Sequence, residues 1–220
     1  MIAGFKVVWR AIQRLNHQSH LYVWGNVLWL LLSLPLVTSI AAWMALVRLG
    51  YLIPRQPGVT LDEFWQTFRQ LWLKGIPLAL LNVVLIYVNV SNLLAYWNDP
   101  SLLAAALRVS WVIVLLLWFA LQLYAYPLYF ALDHPAFIPA FRNAAVMLLQ
   151  NPGFTLVIVL SAALVALLGV VLPPILVLLA GGAISVLVNA AVQDRLWKAG
   201  IQQPPSEPDQ DTEQSFYADF

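Results

Sequence analysis

Residues 143–193 read NAAVMLLQNPGFTLVIVLSAALVALLGVVLPPILVLLAGGAISVLVNAAVQ, 51 residues without an Asp, Glu, Lys or Arg. A helix that crosses a bilayer takes about 20 apolar residues at ~1.5 Å each. The run is too long for one crossing and must fold back on itself. Two breaks are written into it, Asn151-Pro152-Gly153 and Pro173-Pro174. Proline removes a backbone donor and clashes with the preceding turn, and Asn-Pro-Gly is turn chemistry. Cutting there predicts spans over 154–172 and 174–193, joined as a tight hairpin with no polar loop between them.

Working outward, charge-free runs cover 21–47, 75–98 and 109–132. Asn98 or Asp99 can cap the third helix, with Pro100 at its first position, so that span is extended to 105–132. Arg108 then sits inside the helix and reaches back to the interface. The fold class predicted is all-α: a polytopic membrane helix bundle of about five transmembrane helices plus interfacial amphipathic helices. Composition agrees. The chain is 62% hydrophobic and 10% charged, against about 25% charged for a soluble domain. Soluble, disordered and disulfide-scaffold classes are excluded, the last because there is no cysteine. The 21–47 run is too long for the apolar core of a signal peptide and reads as a span.

Outside the spans, residues 1–20 predict a basic amphipathic helix. Ile2, Phe5, Trp9, Ile12 and Leu15 form one stripe; Lys6, Arg10 and Arg14 form another. That pattern suits an anionic lipid surface. Phe64, Trp65, Phe68, Leu71 and Trp72 predict a second surface helix, with Thr60 and Glu63 as a capping box. Phe137, Phe141, Ala144, Ala145 and Leu148 predict a third. Six tryptophans (Trp24, Trp43, Trp72, Trp97, Trp111, Trp197) fall near proposed span ends, as interfacial anchors do. Trp29 and Trp118 lie deeper and read as packing residues. The membrane domain covers 21–198. Residues 199–220 hold five acids and no Lys or Arg, an acidic tail expected to be disordered. With five spans, one side carries Lys6, Arg10, Arg14 and Arg108, and the other carries the remaining seven basic residues. The positive-inside rule then favours a cytoplasmic C-terminus. The basic N-terminal helix argues for the opposite orientation, because anionic lipid is concentrated on the cytoplasmic leaflet.

An offset of 73 pairs Phe64 with Phe137, Phe68 with Phe141, Arg69 with Arg142, Tyr51 with Tyr124 and Pro54 with Pro127. This pattern fits either a parallel duplication or chance identity in apolar sequence. Phe68, Arg69, Phe141 and Arg142 are the candidate partner-docking residues. No span interior contains a charge, which argues against an ion-coupled pump. Amides are left: Asn82 and Asn89 share one helical face and, with Tyr124, either line a polar groove or make interhelical hydrogen bonds. His17 and His20 read as interfacial. Asp133 and His134 have no nucleophile or substrate site to join, and no metal motif or phosphate loop is present, so no cofactor is expected and an enzyme is disfavoured. Gly181-Gly182 reads as close helix packing, with Ser185 one turn on.

The most distinctive run is Asn26-x-x-Trp29-x-x-x-Ser33-Leu34-Pro35-x-Val37-Thr38, followed by Ala41 and Ala42. Pro35 should kink the first span. With Phe64-Trp65-x-x-Phe68-Arg69 and Phe141-Arg142-Asn143-Ala144, this motif resembles the YesL family, bacterial membrane proteins grouped as a domain of unknown function (number 624). The resemblance spans roughly residues 5–195. It implies Asn26, Trp29, Ser33, Pro35 and Thr38 as structural or functional positions, and no catalytic residues. It also implies a multi-pass protein of the bacterial cell (inner) membrane, placed beside carbohydrate uptake systems. Two functions follow as expectations. One is a non-enzymatic accessory or assembly component, with anionic lipids, transporter subunits and further copies of itself as partners and no nucleic acid. The alternative is a small oligomeric transporter or channel for a neutral or polar solute.

Overall fold

The computed structural model describes residues 2–16, 19–56 and 58–202; all their regular structure is helical. The expected acidic tail falls almost wholly outside them, as does His17. The chain runs α1 (Ile2–Asn16), α2 (Ser19–Ser33), α3 (Ser39–Leu52), α4 (Asp62–Ala95), α5 (Leu102–Ala131), α6 (Phe137–Gln150), α7 (Pro152–Val171) and α8 (Pro173–Lys198). Four helices are long and apolar enough to cross a membrane: α4, α5, α7 and α8.

The 21–47 run is not a fifth span. It turns at Leu34–Thr38 and comes back as an antiparallel pair. Gly25 on α2 faces Leu46 and Leu49 on α3, and Trp29 meets Trp43 edge-on at 5.4 Å. Two causes act together. Pro35 withholds a backbone donor, and Leu36 takes a left-handed conformation (φ 52°) while Thr38 Oγ1 donates to the Leu32 carbonyl. After the turn, Ala41, Ala42 and Ala45 are fully buried, so α3 can lie close against its neighbours. The expected kink is therefore a reversal. At 15 and 14 residues the two helices are each only about 22 Å long, short of a ~30 Å hydrocarbon core. The tip is apolar and exposed, with Leu34 at 76% and Leu36 at 64%.

Three other boundaries differ from expectation. The surface helix expected around Phe64 and the second span are one unbroken helix, α4, which runs through Gly75 and Pro77. Thr60 Oγ1 accepts from the amide of Asp62 at 3.3 Å rather than completing a box with Glu63. α5 is capped by Ser101, whose hydroxyl accepts from the Ala104 amide at 3.2 Å. Asp99 accepts from the Ser101 amide at 2.8 Å, and that bond holds its carboxyl below the usual range. The expected hairpin after Leu172 is present, and α6 forms as a separate helix ending at Asn151. The 73-residue offset pairs two similar fold-backs: the start of α4 runs back along α3, and α6 runs back along α5. They differ afterwards, since Asn151-Pro152 separates α6 from α7 whereas α4 continues.

α1 and the end of α8 meet, with Arg14 Nη1 donating to Gln193 Oε1 at 2.8 Å. Arg195 Nη1 donates to Asn151 Oδ1 at 2.9 Å, which brings the start of α7 to the same end. Tyr22 and Ile53, at the two feet of the α2–α3 hairpin, line a cavity with Arg14. These contacts gather Arg10, Arg14, Arg195 and Lys198 at one end of the bundle, the basic end, while Arg108 donates to the Trp97 carbonyl in the α4–α5 connection.

Candidate functional site

Of the motif residues, Asn26 and Trp29 form the joint between the hairpin and α8, and Thr38 bonds within the hairpin turn. Asn26 is fully buried. Its Oδ1 accepts from the Gly182 amide at 3.1 Å, and its Nδ2 donates to the carbonyls of Leu176 and Val177 at 2.7 and 2.6 Å. Those carbonyls lie in a single π-helical turn, Leu176–Ala180, where the regular i→i−4 ladder is interrupted. One amide side chain thus serves three backbone groups in a segment with no water to do so. Glycine is required opposite it: a Cβ at Gly181 would lie 2.5 Å from Asn26 Oδ1 and 2.6 Å from the Trp29 ring. A turn and more along α8, Ser185 Oγ donates to the Leu46 carbonyl at 2.9 Å and Asn189 Nδ2 to Val47 at 3.0 Å. Gly50 leaves the room Ser185 needs. Ser33 has a buried hydroxyl without a partner among the described residues, and Pro35 sits exposed at the tip.

Asn82, Asn89 and Tyr124 do not share one groove. Asn82 pairs with Gln122 on α5, donating and accepting at 3.0 Å, and accepts from Trp118 Nε1 at 2.7 Å. Tyr126 also donates to Gln122. Tyr124 instead donates to Thr155 Oγ1 on α7 at 3.2 Å. Asn89 bonds back to the Leu85 carbonyl at 2.8 Å within its own helix and faces a lateral, otherwise apolar cleft of about 270 Å³ with Trp118 and Leu121. Asn82 and Tyr124 thus make interhelical bonds, while Asn89 bonds only within its own helix and its Oδ1 has no partner among the described residues.

Of the docking candidates, Phe141 is half-buried between Trp118 and Tyr126, with ring centroids at 5.8 and 6.3 Å. Phe68 is half-buried beside Trp65. Arg69 and Arg142 are exposed, and Arg69 borders a shallow concavity of about 430 Å³ with Asp62, Glu63 and Trp65. A second concavity of about 380 Å³ lies between α6 and the end of α8, lined by Asn143, Gln150, Asn151, Arg195 and Lys198.

The basic end also holds a group that sequence reasoning passed over. Asp194 is 4% exposed and meets Lys198 at 3.0 Å, Arg195 in direct contact and Arg10 at 3.9 Å. The i, i+4 spacing of Asp194 and Lys198 was the one available sign. No group of three or more His, Cys, Asp or Glu that could hold a metal occurs among the described residues.

Residues 22–93, 72 of the 220, match the family model described as "Protein of unknown function, DUF624". The matched segment is the α2–α3 hairpin and nearly all of α4, so the family resemblance read from Asn26–Thr38 is shown over that part of the chain. No curated protein and no solved structure matches the chain.

Proposed function

We propose that the protein is a non-enzymatic accessory or assembly component of a bacterial cell membrane, acting beside a carbohydrate uptake system through its basic end. The carbohydrate link rests on the family resemblance alone. The observation that carries the rest is how the polar side chains are used. Asn26, Asn82 and Gln122 are fully engaged across helix boundaries, and Asn89 and Asn189 bond to backbone through Nδ2 while their Oδ1 atoms have no partner among the described residues. A side chain bonded to its own bundle is less free to coordinate a passing solute. The open concavities beside Arg69 and beside Asn143, Arg195 and Lys198 lie instead where α4 begins, α6 lies and α8 ends. In this reading α4, α5, α7 and α8 cross the membrane and the α2–α3 hairpin does not, which assigns ten basic residues to that side and Arg108 to the other. The positive-inside rule then favours it as the cytoplasmic side, carrying both α1 and the end of α8. The basic α1 then faces the anionic leaflet, and the conflict between the charge count and the N-terminal helix disappears.

A photo-crosslinking residue placed at Arg69 or Arg142 in native membranes tests this. The expected product is an adduct with a transporter subunit, absent when the crosslinker replaces lipid-facing Leu116. Purified protein in liposomes that carried a neutral solute, with flux lost in Asn82→Ala or Asn89→Ala, would establish the transporter reading instead.

A further inference from the structure

α1 packs in a way its sequence does not announce. It buries its small face, Val7 and Ala11, with Gly4 against Val157 of α7. Its aromatic stripe stays outside: Phe5 and Trp9 are each 63% exposed and Ile12 54%. The helix is thereby seated on the protein while presenting rings at headgroup level. Beside it, between the end of α1 and the feet of the hairpin, lies a cavity of about 300 Å³ lined by Arg10, Gln13, Arg14, Tyr22, Ile53 and Pro54.

Among the described residues the charges around this cavity are unbalanced. Arg14 is half-buried and its resolved partner is the neutral Gln193. Burial first, and then Arg10, lower its pKa. Arg55 is lowered first by its own burial, and Arg14 and Arg48 both push it the same way against the raising effect of Tyr51. The nearest acid, Asp194, is shared among Arg195, Lys198 and, at 3.9 Å, Arg10. Gathering guanidinium groups in partly desolvated positions is costly unless an anion is supplied. Tyr22 adds a second sign: the residue is 0% exposed and its hydroxyl finds no partner among the described residues. Tyr22 belongs to the cavity wall, and a small shift of its ring toward the cavity would give this buried donor the acceptor it lacks.

We propose that this cavity binds a phosphate group, supplied by the headgroup of an anionic phospholipid. Arg14 and Arg10 furnish forked donors of the geometry phosphate takes, and Tyr22 furnishes a third. Ile53 and Pro54 make the apolar wall against which a glycerol and acyl chain rest. The exposed Phe5, Trp9 and Ile12 place the opening at the bilayer interface. Free phosphate offers the same oxygens but nothing for that wall.

The test is native mass spectrometry of the full-length protein in mild detergent, titrated with phosphatidylglycerol, with phosphatidylcholine and, separately, with inorganic phosphate. Wild type is expected to retain one phosphatidylglycerol in preference to phosphatidylcholine. Arg14→Gln and Tyr22→Phe are each expected to weaken retention about tenfold, the scale of a lost charge-assisted or buried hydrogen bond. Tyr22→Phe removes only the unpartnered hydroxyl, so its melting temperature should hold while retention falls. Lys6→Gln, outside the cavity, should leave retention intact. Unchanged retention in both cavity variants overturns the proposal, as does an equal loss in Lys6→Gln, which would mean diffuse surface attraction. Displacement of the lipid by millimolar inorganic phosphate overturns the lipid assignment.

Discussion

The α2–α3 and α4–α5 hairpins are both antiparallel pairs of apolar helices, and they are held by opposite means. α2–α3 is short and wedged against α8 through Asn26, Ser185 and Asn189, each bonded to backbone across a helix boundary. α4–α5 is long and holds together through one side-chain cluster, Asn82–Gln122–Trp118–Tyr126. The same contrast appears in burial: 14 of the 29 residues of α2 and α3 are buried, against 15 of the 64 of α4 and α5. Hydropathy does not distinguish the two pairs. What does is whether small residues allow backbones close enough for an amide to reach a neighbour's carbonyl. A helix pair with that option gains a protein neighbour, and one without it keeps its lipid.

The contrast breaks first at Asn26. Asn26→Leu removes three bonds that average about 0.6 kcal/mol each in membrane proteins and reach ~1.7, and it crowds Gly181, so a loss of about 2–4 kcal/mol is expected in detergent-micelle unfolding. Gly50→Ala comes next. Its Cβ would lie 2.3 Å from Ser185 Oγ, and the serine would have to leave Leu46, a cost of about 1–3 kcal/mol by the same assay. Asn82→Leu should cost about 1–2 kcal/mol. Its effect should be local: hydrogen exchange should quicken in α4 and α5 while α2, α3 and α8 keep their protection. Smallest is Leu116→Ala on α5, a lipid-facing change expected to stay within about 0.5 kcal/mol. An equal cost for Leu116→Ala and Gly50→Ala would erase the distinction between the two pairs.

The sequence made the helical class and the 152–198 hairpin legible, because charge-free length and the Asn-Pro-Gly and Pro-Pro breaks are local signals. It marked Asn26 and Trp29 as special and carried a family resemblance over roughly 5–195, of which 22–93 matches the family model. It did not disclose that 21–47 folds back. A 27-residue apolar run satisfies the length rule for a span whether or not it reverses. The reversal depends on Leu36 adopting φ 52° and on small residues of α3 finding α8 more than 130 positions later. Nor could periodicity place Asn82 and Asn89 in separate surroundings. They share a helical face, but the partners differ: Gln122 reaches one, and only apolar α5 side chains border the other. Phe141 and Phe68 were readable as an apolar face; that Trp118 would cover the first was a tertiary fact. The Arg14–Tyr22 cavity escaped the sequence for the same reason, since it is assembled from α1, α2 and the end of α3.

The central claim is that residues 21–47 enter and leave the membrane on one side. The chain contains no cysteine, so single cysteines report cleanly. Gln13→Cys and Gln56→Cys flank the hairpin, and Asn98→Cys sits in the α4–α5 turn; all three positions are exposed. With a membrane-impermeant maleimide on intact cells, only Asn98→Cys should label, and Gln13→Cys and Gln56→Cys should label together once the cells are permeabilised. Labelling of Gln13→Cys and Gln56→Cys from opposite sides would show that the first apolar run crosses the membrane and would contradict the account.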